Sequence, residues 1–442
     1  RWSARILMNR GYVVTSRTYS ILACLFAVSF LILSALVSAG VDLGGLDRSL
    51  VSYLASLRTE ALNPLLIIFS MAGGVFVLSC VSMALIGTLF FFGRWKLGVV
   101  VFIGLIASNL LVLLIKSVVG RLRPVSEYQT ILETYSFPSH QTTLALVVYG
   151  LAAILIGWRL GAELRRYTYC FFFALIALSS FSKIYFAQHW PSDLLAAGFL
   201  GGMIIFVVLH IIIRNVDMNP NIHKLNPIVL SGSVFITLCA SLALQTHLHL
   251  EAKLTDFKYK DHIIEIQNTE WKTDKWLELP IARVLFDGEM AEPIQVQTNT
   301  DLADFSKLLV KDKWRQSKTD ALTTLTDTIV PAQTGIRKRS VIPLTNAGTP
   351  PILVFEKLQN SETKVVLRVW KTNFSTEGYE IFAISAMQEK LKLMPFGFSV
   401  VGKSAFDAET KTRLLERLVK LLDGETKRIS HEGVPYWLVA RK

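Results

Sequence analysis

The sequence predicts a multi-span α-helical membrane bundle, with about seven transmembrane helices, followed by a soluble α+β domain. The chain has 442 residues, of which 52% are hydrophobic, and its mean hydropathy is +0.43. The long apolar runs all lie before residue 247, whereas the rest alternates between strand-like and helix-like segments. A single soluble domain is therefore excluded.

A helix needs about 20 apolar residues to cross roughly 30 Å of hydrocarbon. Seven stretches meet this requirement: 19–40, 64–92, 97–118, 140–158, 167–187, 193–213 and 227–246. Pro64, Gly73 and Gly74 predict a bend in the second span. The segment Asp42–Arg58 has mixed polarity and predicts a helix lying on the membrane surface.

The basic residues of the short loops predict the orientation, since Lys and Arg accumulate on the cytoplasmic side. With residues 1–18 as a cytoplasmic segment, the inner loops carry eleven basic residues and the outer loops six. The outer set is Arg48, Arg58, Lys116, Arg121, Arg123 and Lys183. With seven spans, the soluble domain 247–442 also lies outside.

The net charge of +12 belongs mostly to the membrane half, with 17 Lys/Arg against 8 Asp/Glu before residue 247 and 29 against 26 after it. This distribution suits membrane orientation, and we expect no nucleic-acid partner. The four cysteines have no metal-site spacing. In the soluble domain, β-branched and aromatic runs predict strands at 351–357, 364–371, 379–385 and 436–441, and apolar periodicity predicts helices at 301–310 and 408–422.

Three polar clusters lie at the outer ends of apolar spans. The first contains Lys116 and Arg123, and alone it is typical of cations that reach lipid headgroups. The second is Pro138-Ser139-His140-Gln141, where Ser139 can cap a helix whose free N–H groups would bind an anion. We expect Arg121, between the cations of the first cluster, to face headgroups.

The third cluster contains Ser182-Lys183, His189 and Asp193. An aspartate that accepts a hydrogen bond from one imidazole nitrogen would leave the other nitrogen free to attack phosphorus. Ionisable residues at membrane depth are costly and usually functional. Together the clusters predict a site that holds a phosphate group and attacks it.

The patterns K-x6-R-P, P-S-x-x and S-K-x5-H-x3-D over about residues 42–212 resemble the signature motifs of the type 2 phosphatidic acid phosphatase superfamily. The Leu46–Arg58 segment is also similar to that family. The resemblance implies an outward-facing site, a phosphohistidine intermediate on His189 oriented by Asp193, and no metal or cofactor. Phosphate would be bound by four residues: Lys116, Arg123, Ser139 and Lys183.

Two departures from the family pattern concern the chemistry. Lys183 stands where the family usually has Arg, so the charge is kept but the forked geometry is lost. His140 and Gln141 stand where the family usually has Gly and then the His that acts as general acid. Glutamine cannot donate a proton as an acid, and we expect His140 to substitute in part.

The segments 293–315, 364–371 and 379–385 resemble an LssY-type C-terminal domain. In that architecture a DedA-type membrane domain commonly comes first, which would suit a chain that starts at Arg1 and is part of a longer fusion.

We therefore expect a lipid phosphatase of a bacterial-type inner membrane, with its site and soluble domain on the periplasmic side. Its substrate would be a phosphate or diphosphate of an isoprenoid, such as undecaprenyl diphosphate, or of a glycerolipid. Two alternatives remain at this point. One is a catalytically impaired lipid-phosphate binding or transport partner, and the other is a phosphotransferase that uses the same histidine.

Overall fold

A computed structural model describes residues 6–7, 13–40, 46–56, 58–59, 61–124, 135–158, 160–215, 226–256, 263–286, 288–317, 336, 339–342, 344–393, 399–404 and 406–441. The chain divides into two compact units, one mainly of residues 1–258 and the other mainly of residues 259–442. Arg1, Arg5, Arg10, Arg159 and Lys224, which were used to predict orientation, lie outside the described residues.

The first unit is helical. After a short hairpin of β1 (Ile6–Leu7) and β2 (Val13–Val14), its nine described helices are α1 (Ser16–Ser38), α2 (Leu46–Ser56), α3 (Leu62–Ala72), α4 (Val75–Phe91), α5 (Trp95–Val119), α6 (His140–Gly157), α7 (Ala162–Tyr185), α8 (Pro191–Asn215) and α9 (Pro227–Asp256). The last of them continues ten residues past the predicted end of its span.

Six of these helices are long and apolar enough to cross a membrane, and the bent pair α3–α4 makes up to seven. The prediction of a multi-span bundle is therefore confirmed. Helix α6 is the most enclosed, with 72% of its apolar window buried against 17% for α1. Of the candidate spans, α6 is therefore the one with the largest share of its surface covered by the rest of the protein.

The predicted bend in the second span is present, and α3 and α4 meet at 43°. Gly73 lies at the bend and permits the close approach of α7, since a Cβ on this residue would lie 1.8 Å from the Ser179 hydroxyl oxygen. The bend leaves the Ala72 carbonyl without a helical donor, and the Tyr149 hydroxyl donates to it at 2.5 Å. Helices α3, α6 and α7 are thus fixed to one another at the break.

The second unit contains β3 (Ile264–Glu265), α10 (Asn268–Thr273), a 3₁₀ turn (Lys275–Leu277), β4 (Ala282–Val284), β5 (Met290–Pro293), β6 (Val296–Thr298), α11 (Leu302–Lys311), β7 (Arg315–Gln316), β8 (Leu353–Leu358), β9 (Thr363–Thr376), β10 (Tyr379–Leu393), β11 (Ser399–Ser404), α12 (Ala408–Leu421), β12 (Gly424–His431) and β13 (Val434–Arg441). Every strand and helix predicted for this domain is present, which confirms its α+β class.

Nine strands form one sheet in the order β12-β13-β6-β10-β9-β8-β7, with β11 also paired to β10 and β3 to β9. Alternate residues of β9 point to opposite faces. Val365, Leu367 and Val369 join a core that includes α11 and α12. On the other face, buried Arg368 pairs with Glu389 at 2.6 Å and Lys364 pairs with Glu356 at 2.8 Å.

Candidate functional site

The first cluster is shaped by a helix end. Gly120 stops α5 with φ +62°, a left-handed conformation suited to glycine, and its N–H donates to the Lys116 carbonyl at 3.0 Å. The loop that follows is held by Ser136, whose N–H donates to the Arg121 carbonyl at 2.7 Å and whose hydroxyl donates to the Leu122 carbonyl at 3.1 Å. The side chains of Arg121 and Arg123 therefore extend from a backbone that these hydrogen bonds hold in place.

The third cluster is shaped by a Schellman turn. The Gln188 N–H donates to the Lys183 carbonyl and the Ala187 N–H to the Ile184 carbonyl, each at 2.8 Å, and Ala187 has φ +52°. Helix α8 starts three residues later at Pro191. This tight connection places His189 between two helix ends, where the sequence predicted it.

His189 is 5% exposed and has both ring nitrogens in contact with predicted site residues. Its Nδ1 lies 3.3 Å from Oδ2 of Asp193, and its Nε2 lies 3.1 Å from a terminal nitrogen of Arg123. Because a guanidinium can only donate, Nε2 must be the unprotonated nitrogen, and the proton resides on Nδ1 and points to Asp193. The residues fix the tautomer that leaves Nε2 nucleophilic.

The charge of this group follows from its surroundings. Burial lowers the pKa of His189 to about 4, although the hydrogen bond to Asp193 opposes the shift. Burial also lowers the pKa of Arg123, and the nearby Asp193 opposes it. At neutral pH the histidine is uncharged, as a nucleophile requires.

The expectation that Arg121 faces lipid headgroups is wrong. Its guanidinium lies between two carboxylates, 2.8 Å from Oδ1 of Asp193 and 2.7 Å from Oδ2 of Asp47. It also donates to the Ser192 hydroxyl at 2.7 Å and lies over the Trp190 ring at 5.3 Å. The loop backbone turns this side chain into the protein, and the K-x6-R-P pattern, which includes Arg123, gives no role to Arg121.

Asp47 is a residue that the sequence analysis missed. It is 5% exposed and lies on α2, in the segment whose resemblance to the family was noted. Its Oδ1 accepts from the Ser192 N–H at 2.9 Å, and its Oδ2 accepts from the Ser192 hydroxyl as well as from Arg121. The available sequence signal was an aspartate near the start of a segment predicted to form a surface helix.

The second cluster begins α6. Ser139 occupies the predicted N-cap position, but its side chain makes no capping bond and instead donates to the Thr142 hydroxyl at 3.0 Å. The Ser139 N–H donates to the Asp193 carbonyl at 3.2 Å, which joins the second cluster to the third. Among the residues that the structure describes, no acceptor is found for the N–H groups of His140, Gln141 and Thr142. Such a helix start attracts anions.

Three predicted residues are turned to other partners. The Lys116 ammonium donates to the Tyr135 carbonyl, and the Lys183 ammonium donates to the Ser70 hydroxyl at 2.7 Å. His140 Nε2 lies 2.9 Å from Oδ1 of Asn109, a residue about 10 Å along the α5 axis from Lys116.

The structure therefore brings His189, Asp193 and Arg123 into direct contact and joins Ser139 to them through the backbone. Within the described part of the chain, no hydrogen bond connects Lys116, Lys183 or His140 to that group.

Residues 95–217 match the family model of the PAP2 superfamily. The matched segment runs from α5 to the end of α8 and includes all seven predicted site residues. Asp47 lies outside it.

A crystal structure described as the first transmembrane PAP2 type phosphatidylglycerolphosphate phosphatase, from Bacillus subtilis, is similar at 20% identity with a TM-score of 0.40. The similarity covers 45% of this chain and 99% of that one. No curated protein sequence matches the chain.

Proposed function

We propose that this multi-pass membrane protein hydrolyses a lipid phosphate or diphosphate through a phosphohistidine formed on His189. The observation that carries the proposal is the contact of the His189 ring with Asp193 on one side and Arg123 on the other. It combines a neutral nucleophile, a carboxylate that orients it and a cation beside the attacking nitrogen. The family match to residues 95–217 supports the same class of reaction.

In the first step the Nε2 lone pair attacks phosphorus, the N–P bond forms, and the P–O bond to the lipid breaks with its electron pair on the leaving oxygen. The Nδ1 proton remains hydrogen-bonded to Asp193, which stabilises the positive charge that develops on the ring. Arg123 donates a hydrogen bond to Nε2 in this structure. When substrate is bound, it donates instead to a phosphate oxygen. In the second step water attacks phosphorus and gives up a proton to solvent, the N–P bond breaks with its electron pair returning to Nε2, and phosphate is released.

The non-bridging phosphate oxygens are stabilised by fixed donors. The three N–H groups that begin α6 lie next to Ser139, whose own N–H is bonded to the Asp193 carbonyl. Lys116 and Lys183 bind neutral oxygens in this structure, so a phosphate dianion would compete for both ammonium groups. We propose that these two lysines exchange Tyr135 and Ser70 for phosphate when the substrate binds.

The first experiment measures phosphate release by purified protein from a panel of lipid monophosphates and diphosphates. Wild type should release phosphate, and His189→Ala should lose at least 10³-fold in rate, as expected for removal of a nucleophile. Thr168→Ala, a change at a half-buried residue of α7 whose hydroxyl bonds only within its own helix among the described residues, is the control that should retain the rate. Release that persists in His189→Ala would remove the phosphohistidine proposal.

A catalytically impaired lipid-phosphate binder is the second candidate, and Gln141 favours it. Leaving-group protonation typically supplies about 10²–10⁴-fold in rate, and the imidazole that follows Ser139, that of His140, is held by Asn109. If His140 leaves Asn109 to donate the proton, His140→Gly should lose about 10²-fold on monoesters. If instead the acid has been lost, Gln141→His should raise turnover, and more on monoesters than on diphosphates.

We also propose that the site faces the periplasmic side of a bacterial-type inner membrane, on the basis of the eleven-to-six distribution of loop cations. Reporter fusions after Lys96 and Arg166 should be cytoplasmic, whereas fusions after Arg123 and Lys442 should be external. An internal C-terminus would separate the soluble domain from the site.

A further inference from the structure

Arg121 joins two carboxylates that are remote in sequence. Asp193, the partner of His189, is fully buried and Asp47 is 5% exposed, and each accepts from a different terminal nitrogen of the guanidinium. A buried carboxylate without a counter-charge is strongly disfavoured. Arg121 therefore supplies a counter-charge to both aspartates in the same enclosed region.

The two oxygens of Asp193 have separate partners. Oδ2 accepts from the Trp190 N–H at 2.9 Å and lies 3.3 Å from Nδ1 of His189, whereas Oδ1 accepts only from Arg121 among the described residues. The interaction with Arg121 thus sets how strongly Asp193 can accept the hydrogen bond from the His189 imidazole. If Arg121 had no other carboxylate, its whole charge would act on Asp193 and weaken that residue as an acceptor for His189.

Asp47 supplies this second carboxylate, and it also holds the backbone that carries Asp193. It accepts the N–H and the hydroxyl of Ser192, the residue directly before Asp193. A carboxylate at the N-terminus of a helix interacts favourably with the helix dipole. The same side chain therefore controls both the charge and the position of the aspartate.

We propose that Asp47 is a positioning residue for the nucleophile, acting on His189 through Arg121, Ser192 and Asp193. The inference rests on the proposed function, since it assigns Asp47 a role in forming the phosphohistidine. Among the described residues, Asp47 makes its hydrogen bonds and ion pair with Arg121 and Ser192 and none with His189, Arg123 or the start of α6, so it should affect the rate of attack and leave phosphate binding unchanged.

The test compares Asp47→Asn with wild type on a lipid phosphate that the protein hydrolyses. The amide keeps the size and one acceptor for Ser192 but removes the charge opposite Arg121. We expect kcat to fall about 10- to 100-fold, an effect typical of strongly coupled neighbours, with KM and the inhibition constant of inorganic phosphate within twofold. Asp47→Glu should recover part of kcat, and Leu50→Ala on the same helix should retain it.

A double-mutant cycle separates positioning from general destabilisation. If Asp47 acts through Arg121, the double variant Asp47→Asn, Arg121→Gln should be no slower than the slower single variant. Rate losses that multiply would overturn the proposal, and so would a change in phosphate inhibition as large as the change in kcat. Thermal unfolding in detergent should show the same midpoint for Asp47→Asn and Leu50→Ala.

The outcomes also distinguish this inference from the proposed function. An activity that requires His189 but is indifferent to Asp47→Asn overturns the positioning role alone. An activity indifferent to His189→Ala overturns the phosphohistidine and, with it, the role of Asp47.

Discussion

Helices α6 and α8 begin beside each other at the candidate site, and their first turns are opposite in hydrogen bonding. At α8 the Trp190 N–H donates to Asp193, Pro191 has no N–H, and the N–H groups of Ser192 and Asp193 donate to Asp47 and to the Trp190 carbonyl. At α6 the described residues offer no acceptor to the first three N–H groups. We call residues 190–193 at the start of α8 the closed turn and residues 140–142 at the start of α6 the open turn. The closed turn holds Asp193 in place beside the nucleophile His189, and the N–H groups of the open turn are available to an anion.

The largest expected effect comes from opening the closed turn. Asp193→Asn removes the charge that stabilises the ring and allows the amide to favour the wrong tautomer of His189. In a comparable aspartate–histidine arrangement of a serine protease this change lowers kcat about 10⁴-fold, and we expect 10³- to 10⁴-fold here. Phosphate release under saturating substrate measures it, and a loss below tenfold would mean that Asp193 does not orient His189.

The second prediction closes one donor of the open turn. Ser139 has φ −68° and ψ 112°, a conformation that tolerates a following proline, so His140→Pro can be made without bending the backbone. His140→Ala removes the imidazole alone, whereas His140→Pro also removes the N–H. A hydrogen bond to a charged group contributes about 1.5–3 kcal/mol. The inhibition constant of inorganic phosphate should therefore be at least tenfold higher for His140→Pro than for His140→Ala.

The matched pair makes this result specific to the backbone. Equal inhibition of His140→Pro and His140→Ala by phosphate would show that this N–H does not contact the anion. Helix α8 already has proline at its first position, which shows that such a helix start accommodates proline in this fold.

The third prediction concerns pH. Burial lowers the pKa of His189 from 6.5 to about 4. As the pH falls, this residue is therefore protonated at a higher pH in the unfolded chain than in the folded protein. Its contribution to stability is complete above pH 6.5 and is lost as the pH falls toward 4. Between pH 7 and pH 5, the free energy of unfolding of the wild type should fall by about 2 kcal/mol more than that of His189→Asn, measured by thermal unfolding in detergent. Parallel losses would mean that His189 is not buried in its neutral form.

The smallest effect is expected at Pro191. Pro191→Ala adds an N–H to the closed turn and increases the conformational entropy of the unfolded chain. Together these changes should lower the free energy of unfolding by less than about 1 kcal/mol. Turnover should remain within twofold because Asp47 and Asp193 still hold their partners. A large loss of turnover would indicate that proline itself, and not the side-chain network, fixes the start of α8.

Local pattern predicted what depends on local sequence. The spans followed from hydropathy, the bend from Gly73 and Gly74, and the strands from β-branched runs such as 364–371. The position of Ser139 at a helix start was predicted, yet its hydroxyl bonds to Thr142 and does not cap the backbone.

Long-range pairing was not predictable in the same way. Asp47 and Ser192 are separated by 145 positions, and one sequence gives no indication that they meet. The K-x6-R-P pattern selected Arg123, but it gave no indication that Arg121 lies between two carboxylates. The orientation of His140 toward Asn109 depends on the approach of α5 to α6, which spacing does not specify.

The break between α3 and α4 has a consequence for insertion into the membrane. The carbonyl of Ala72 is satisfied by Tyr149 and that of Ser70 lies 3.5 Å from the Lys183 ammonium, residues 77 and 113 positions later in the chain. During synthesis from the N-terminus, the bent span enters the bilayer before either partner exists. Because unpaired carbonyls are costly in hydrocarbon, we expect this span to stay near water or near the insertion machinery until α6 and α7 have been synthesised.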